Sequence, residues 1–239
     1  MKYLIWDEEL MIKSFEFLKR MRALGIDFVL IGGWAVYFLT KYHMSRDIDI
    51  VLQDREFWKL KTYILGQGGR EKASGLKKMG FSIEDVKLDV YTESKSGLPI
   101  PIDEIYRKQI YVVIEDIKIL KPEQLLVLKQ KAAEARGHNM KGLKDRCDIL
   151  AICLKAELDF SVYKAVCSNY SMADMPRKLQ ELISSCEKEF NYVIQKEIIP
   201  SKLKRMKKDL KKKIGRIKSS FLFLIKKPVL YQEVSYQKV

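Results

Sequence analysis

The strongest constraint on the fold of this chain is a double glycine followed at short distance by a pair of aspartates. Residues 27–31 are mostly apolar and end in Gly32 and Gly33, a pattern that predicts a buried strand turning sharply into a helix. Thirteen residues separate Gly33 from the Asp-Ile-Asp sequence at positions 47–49, which opens an apolar run and predicts a second strand. Helical patterns before, between and after these runs predict an α/β (α+β) fold, a short mixed sheet flanked by helices.

The two aspartates predict a cation site. Side chains alternate along a strand, so Asp47 and Asp49 project from the same face. Two carboxylates on one face repel each other unless a cation lies between them, and Mg²⁺ prefers carboxylate oxygens while keeping positions open for phosphate. Gly32 and Gly33 allow backbone N–H groups at a helix N-terminus to approach a phosphate closely. Together the motifs favour a site for Mg²⁺ and a nucleoside triphosphate (NTP).

This combination resembles the nucleotidyltransferase superfamily of the polymerase-β type, whose signature is an apolar residue, Gly, Gly or Ser, a gap, and then Asp-apolar-Asp. The resemblance implies Mg²⁺-dependent transfer of a nucleoside monophosphate from an NTP to an acceptor hydroxyl. It also implies a third metal-binding and catalytic carboxylate beside Asp47 and Asp49. We expect Asp89, in the strand predicted at 86–92, because Glu84 and Asp85 fall at a turn.

A second resemblance covers residues 119–150, which are similar to the helical segment of minimal and AbiEii-type nucleotidyltransferases. It implies that Lys129 reaches the triphosphate and that a downstream aspartate, Asp145 or with slight preference Asp148, supports the site. The competing interpretation is an exposed helix face with intrahelical ion pairs. Some of these proteins are toxins, which implies an antitoxin partner. Trp34 stands where many members carry Ser, so one hydroxyl contact to phosphate is lost.

The positive charge is concentrated near the C-terminus. The chain carries a formal charge of +14, and twelve basic residues and one acid between 201 and 227 supply +11 of it. We divide the chain into a catalytic core, 1–120, and a helical region, 121–239, that contains this basic segment. The segment predicts RNA or tRNA binding, with plain solubility or docking on the core through its apolar residues as alternatives.

Further predictions concern single residues, the glycine-rich stretch and the cellular compartment. Arg46, beside the acidic strand, is a candidate phosphate ligand, whereas His43 and His138 lack any metal-ligand spacing. The glycine content of the stretch 66–80 predicts a mobile loop. The alternative of a phosphate loop is disfavoured because the stretch lacks that motif's pattern. Four cysteines without paired spacing, and the lack of a long apolar run, predict a cytoplasmic protein with reduced thiols and no membrane contact.

Two other functions remain open from the sequence. The chain could be a catalytically silent nucleotide sensor or nucleic-acid-binding scaffold, although retained, mutually repelling carboxylates favour activity. It could also be a transferase whose acceptor is a protein or a small-molecule antibiotic, because the fold does not specify the acceptor.

Overall fold

The computed structural model describes residues 8–72, 77–137 and 139–215. Helices and strands alternate through the first part of the chain, as the sequence predicts. The elements up to residue 92 are α1 (Glu8–Ala23), β1 (Phe28–Ile31), α2 (Gly32–Thr40), β2 (Asp47–Leu52), α3 (Asp54–Gly66), β3 (Arg70–Lys72), β4 (Met79–Ile83) and β5 (Val86–Thr92).

The second part of the chain adds one short helix, a hairpin and then only helices in its described residues. Its elements are α4 (Ile102–Arg107), β6 (Tyr111–Ile114), β7 (Ile117–Leu120), α5 (Pro122–Arg136), α6 (Met140–Lys155), α7 (Phe160–Asn169), α8 (Met175–Ser185), α9 (Lys188–Ile194) and α10 (Pro200–Gly215). Proline suits the first turn of α5 because the N–H that it lacks has no partner there in any helix.

The strands of the described chain form one seven-stranded mixed sheet in the order β3-β4-β5-β2-β1-β7-β6. Strands β2 and β5 are parallel, as are β1 and β7, and the other neighbours are antiparallel. The predicted fold class, a mixed sheet flanked by helices with a helical C-terminal part, is confirmed. The order places β2 in the sheet interior, between β1 and β5.

The strand register brings the sequence motifs together. Ile31, directly before the double glycine, is opposite Asp49, and Asp49 is also opposite Asp89 on the other side of β2. The intervening Ile48 and Ile50 are completely buried on the other face of the sheet. This alternation stabilises the sheet through its apolar face and leaves the carboxylates on the face that carries the site.

Helices α2, α5 and α6 cover the site face. Helix α2 packs against β1 and β2, and α5 and α6 pack against each other and against α2. Trp34 is completely buried in α2 and stacks against Phe15, as expected for a core residue. The division predicted at residue 120 stays a prediction.

The structure corrects the prediction for residues 66–80. Arg70–Lys72 form the edge strand β3, paired with β4, and β4 itself begins at Met79. The prediction of a mobile loop is therefore wrong for these residues; 73–76 lie outside the described part. The edge strand was missed because all three of its residues are exposed and show no apolar alternation. Helix α4 was not predicted either.

Two subjects of the sequence predictions fall outside the described residues, namely His138 and the basic segment beyond residue 215. In the described ranges, no helix has both the length and the apolar character needed to cross a membrane.

Candidate active site

A cavity of about 260 Å³ lies where the glycine turn and the strands β2 and β5 meet α5 and α6. Four acidic residues, several cations and an apolar wall share it. Its lining is Ile31, Gly32, Gly33, Ser45, Asp47, Asp49, Lys78, Asp89, Tyr91, Leu98, Leu125, Leu128, Lys129, Ala132, Arg136, Lys141, Lys144 and Asp145. The structure thus brings together the glycines, the three predicted carboxylates and Lys129.

The two glycines permit close packing of other side chains. Gly32 has a φ of +68°, and a Cβ there would lie 2.1 Å from Oδ2 of Asp49. A Cβ on Gly33 would lie 2.6 Å from Oγ of Ser45. Only glycine therefore allows these two side chains to lie against the first turn of α2, where the N–H groups have no partner within the helix.

The three carboxylates differ in environment. Asp47 is exposed at the start of β2, whereas Asp49 and Asp89 are half-buried. Burial raises the pKa of Asp49 to about 6, and the negative charge of Asp89 adds to this shift. The ammonium groups of Lys129, Lys78 and Lys144 act in the opposite direction. Asp89 forms an ion pair with Lys78.

The carboxylates fit a magnesium ion that is bound together with phosphate. Within the described ranges, no group of three or more His, Cys, Asp or Glu side chains is arranged as a ready cage for a metal. Mg²⁺ does not need one, because it commonly uses one or two carboxylates and completes its shell with water and substrate phosphates. The raised pKa of Asp49 reflects unfavourable burial of negative charge, which a cation would relieve.

Lys129 belongs to a buried cluster of charges at the wall of the cavity. Its Nζ is 2.6 Å from Oδ2 of Asp148 and 3.7 Å from Oδ1 of Asp145. Burial alone would lower the pKa of Lys129, but the two carboxylates outweigh it and raise the pKa above its usual value. Both aspartates are almost completely buried, so the alternative of an exposed helix face is wrong for them. Asp148 is the closer partner, and Asp145 is the one that lines the cavity.

Three polar residues that sequence reasoning did not assign complete this cluster. Lys144 donates a 3.0 Å hydrogen bond to Oγ of Ser45, and burial lowers the pKa of this lysine. Nε2 of His43 is 3.5 Å from Oδ1 of Asp148, and burial lowers its pKa too. Ser45 precedes Asp47 by two residues, so strand periodicity could have indicated it. His43 carries no such signal.

The remaining candidate cations lie elsewhere. Arg46 is exposed and is not among the described residues that line the cavity. Lys41 forms an exposed ion pair with Glu115 at 3.6 Å. Glu84, the weaker candidate for the third carboxylate, pairs with Arg20 at the β4–β5 turn.

Several solved structures have a chain path similar to that of this protein. An antigenic nucleotidyltransferase-like protein from Paracoccidioides brasiliensis is 19% identical with a TM-score of 0.46, over 82% of this chain and 96% of that chain. ANT(2'')-Ia in complex with adenylyl-2''-tobramycin is 15% identical with a TM-score of 0.46, and the match covers 69% of this chain and 97% of that chain. JHP933 from Helicobacter pylori is 17% identical with a TM-score of 0.48, and the match covers 89% of this chain and 98% of that chain.

No protein-family model matches the chain, and no curated protein matches it. What the site can do is therefore inferred from its own chemistry.

Proposed function

We propose that this protein is a Mg²⁺-dependent nucleotidyltransferase that moves a nucleoside monophosphate from an NTP to an acceptor hydroxyl and releases pyrophosphate. The observation that carries the proposal is the meeting of Asp47, Asp49 and Asp89 with the Gly32-Gly33 turn in one cavity that is also lined by cations. The resemblance of this motif to polymerase-β-type nucleotidyltransferases supports the same reaction.

Asp47 and Asp49 would hold Mg²⁺, with Asp89 as a further ligand. When bound, the metal would neutralise phosphate charge and lower the pKa of the attacking hydroxyl. The carboxyl group of Asp89 would accept the proton of that hydroxyl; its position at the cavity, opposite Asp49 in the sheet, supports this role.

The chain's cations and backbone would hold the polyphosphate. The first N–H groups of α2 at Gly32 and Gly33 supply donors for phosphate oxygens. Lys144 and Lys129 face the cavity from α6 and α5 and would balance the charge that develops on the leaving pyrophosphate. Lys144 also fixes the Ser45 hydroxyl, which lies at Gly33 and could replace the hydroxyl that Trp34 lacks.

We propose RNA, including a tRNA end, as the acceptor, on the evidence of α10. This helix packs on α8 through one apolar stripe, formed by Leu203, Met206, Leu210 and Ile214. Its other side carries seven exposed cations and one exposed acid, Asp209, among its described residues. Docking and a basic surface therefore coexist in this helix, and a polyanion is the partner that such a surface favours. A toxin role with an antitoxin partner stays a prediction from the resemblance.

The test is incubation of the protein with each labelled NTP, Mg²⁺ and total RNA, beside Asp47→Asn and Asp49→Asn variants whose melting curves show that they are folded. We expect label in RNA and pyrophosphate release with the wild type only. Label on a protein or a small-molecule antibiotic instead would move the acceptor and keep the reaction. NTP binding without turnover would support the silent sensor, and turnover in both variants would contradict the metal assignment.

A further inference from the structure

The pairing of β4 with β5 brings the side chain of Lys78 to the carboxylate of Asp89. It directly precedes β4, which runs antiparallel to β5 and places Gly80 opposite Asp89. Residues two apart on a strand share a face, so Lys78 and Gly80 lie on the same side as Asp89. Since Gly80 has no side chain, the lysine side chain can extend over it. Its ammonium group forms a direct ion pair with Oδ2 of Asp89.

This ion pair is accessible to solvent. The exposed fraction of the side chain is 37% for Lys78 and 26% for Asp89. The ion pair between Lys129 and Asp148 is closed to water, because the exposed fraction of the side chain is 9% for Lys129 and 0% for Asp148. Partly exposed pairs are weak because water competes for both partners, so the Lys78 pair is exchangeable whereas the Lys129 pair is part of the folded core.

We infer that Lys78 is an internal counter-cation for Asp89 that a divalent metal must displace, so that this ion pair lowers the affinity of the carboxylate site for metal. The inference rests on the proposed function, because it assumes that Asp89 binds the metal. Lys78 would act as a positioning residue, since it acts through Asp89. The exchange is one of charge partners only and forms or breaks no covalent bond.

The displaced ammonium group has a second partner when nucleotide is present. Lys78 lines the same cavity as the Gly32-Gly33 turn, so a triphosphate bound there would accept its charge. Metal binding should then be weak in the free protein and stronger when a nucleotide triphosphate is bound. This coupling protects the acidic site from metal until the substrate arrives.

The experiment titrates the full-length protein with Mn²⁺ alone, by calorimetry and by the loss of the free-ion paramagnetic signal. Lys78→Met removes the counter-cation and keeps the length of the side chain. The matched control is Lys77→Met, which removes the neighbouring positive charge from an exposed lysine whose side chain packs on Gly97. We expect Lys78→Met to bind Mn²⁺ about tenfold more tightly and Lys77→Met to stay within about twofold of wild type.

Two further variants make the result specific. Lys78→Arg should restore the weak affinity of the wild type, because it restores the ion pair. Asp89→Asn added to Lys78→Met should remove the gain in Mn²⁺ affinity, because the carboxylate for which the metal and Lys78 compete is then gone. Melting curves followed by circular dichroism check that each variant is folded.

Each contrary result is distinct. Equal Mn²⁺ affinity in the wild type and Lys78→Met would overturn the counter-cation role and leave the proposed function standing. Weaker binding of a non-hydrolysable NTP by Lys78→Met, with unchanged Mn²⁺ affinity, would also overturn it and make Lys78 a phosphate ligand only. Absence of Mn²⁺ binding in every variant would overturn both this inference and the proposed metal site.

Discussion

At the scale of single residues, the conformation of Gly32 and the position of Asp49 depend on each other. The positive φ of Gly32 turns the chain from β1 into α2, and its missing Cβ leaves the space that the Asp49 carboxylate fills. A side chain at position 32 would be strained in this backbone conformation and would also collide with a carboxylate held by the central strand.

Gly32→Ala should therefore destabilise the protein by about 2 kcal/mol or more and reduce metal binding, because Asp49 has to move. Gly66→Ala is the control, since Gly66 ends α3 with no atom within 4 Å of an added Cβ. That variant should be neutral or slightly stabilising. Urea unfolding measures both, and equal losses of stability in the two variants would contradict the coupling.

The raised pKa of Asp49 predicts a pH-dependent cost to stability. A carboxyl group whose pKa is raised by folding binds its proton more tightly in the folded chain. Its favourable contribution is complete below the unfolded value of 3.8 and is lost as the pH rises through about 6. In metal-free protein, Asp49→Asn should then be more stable than wild type at pH 7.5, by about 1 to 2 kcal/mol, and the gain should shrink at pH 5.

Urea unfolding in a chelator at the two pH values tests this, with Asp209→Asn on α10 as an exposed control. Saturating Mg²⁺ should reverse the sign at pH 7.5, because the wild-type carboxylate then gains a ligand. A stability gain that is the same at pH 5 and pH 7.5 would show that the Asp49 carboxyl group does not cause it.

At the scale of elements, α5 and α6 are joined by the buried pair of Lys129 and Asp148. Removing one partner of such a pair leaves an uncompensated charge in the interior. Lys129→Met and Asp148→Asn should each cost about 3 to 5 kcal/mol, and the double variant should cost clearly less than the sum. The exposed i,i+4 pair Arg177–Glu181 on α8 is the control, with an expected loss below about 0.5 kcal/mol. Additive losses at Lys129 and Asp148 would show that the two side chains do not interact.

The elements that carry the site also determine which of its contacts can be predicted from the sequence. Strand alternation was enough to predict that Asp47 and Asp49 share a face. The third carboxylate was implied by the family resemblance, and the same period of two favoured Asp89 for it. The pairing of Lys78 with Asp89 depends on the β4–β5 register, and the contact of His43 with Asp148 joins residues 105 positions apart. No local pattern encodes such contacts. Burial of Asp145 and Asp148 was also hidden, because charged residues on a helix usually face water.

At the scale of the whole molecule, the site is built from segments that are far apart in the sequence, between residues 31 and 145. The sheet supplies the carboxylates, and α5 and α6 supply Lys129, Lys144 and Asp145. Leu126 and Ile149 on these two helices are completely buried, so the helices belong to the same core that fixes the sheet. The site's geometry is therefore maintained by the global fold, whereas α10 contacts α8 and leaves its basic side exposed.

The last prediction follows from this separation of the basic surface from the site. Replacing Lys204, Lys208, Lys211 and Lys212 by Gln removes four exposed charges and leaves the apolar stripe of α10 intact. Each phosphate contact on single-stranded RNA contributes about 0.7 to the log–log salt slope, so the slope should flatten by about 3, while stability and binding of Mg²⁺ and NTP stay unchanged. A control variant replaces Lys19, Lys72, Lys87 and Lys108, which are exposed on other elements. RNA binding measured by fluorescence anisotropy from 50 to 300 mM salt decides the matter. Equal salt slopes in the two variants would mean that RNA binding depends only on the total charge of the protein and that α10 is not an RNA-binding surface.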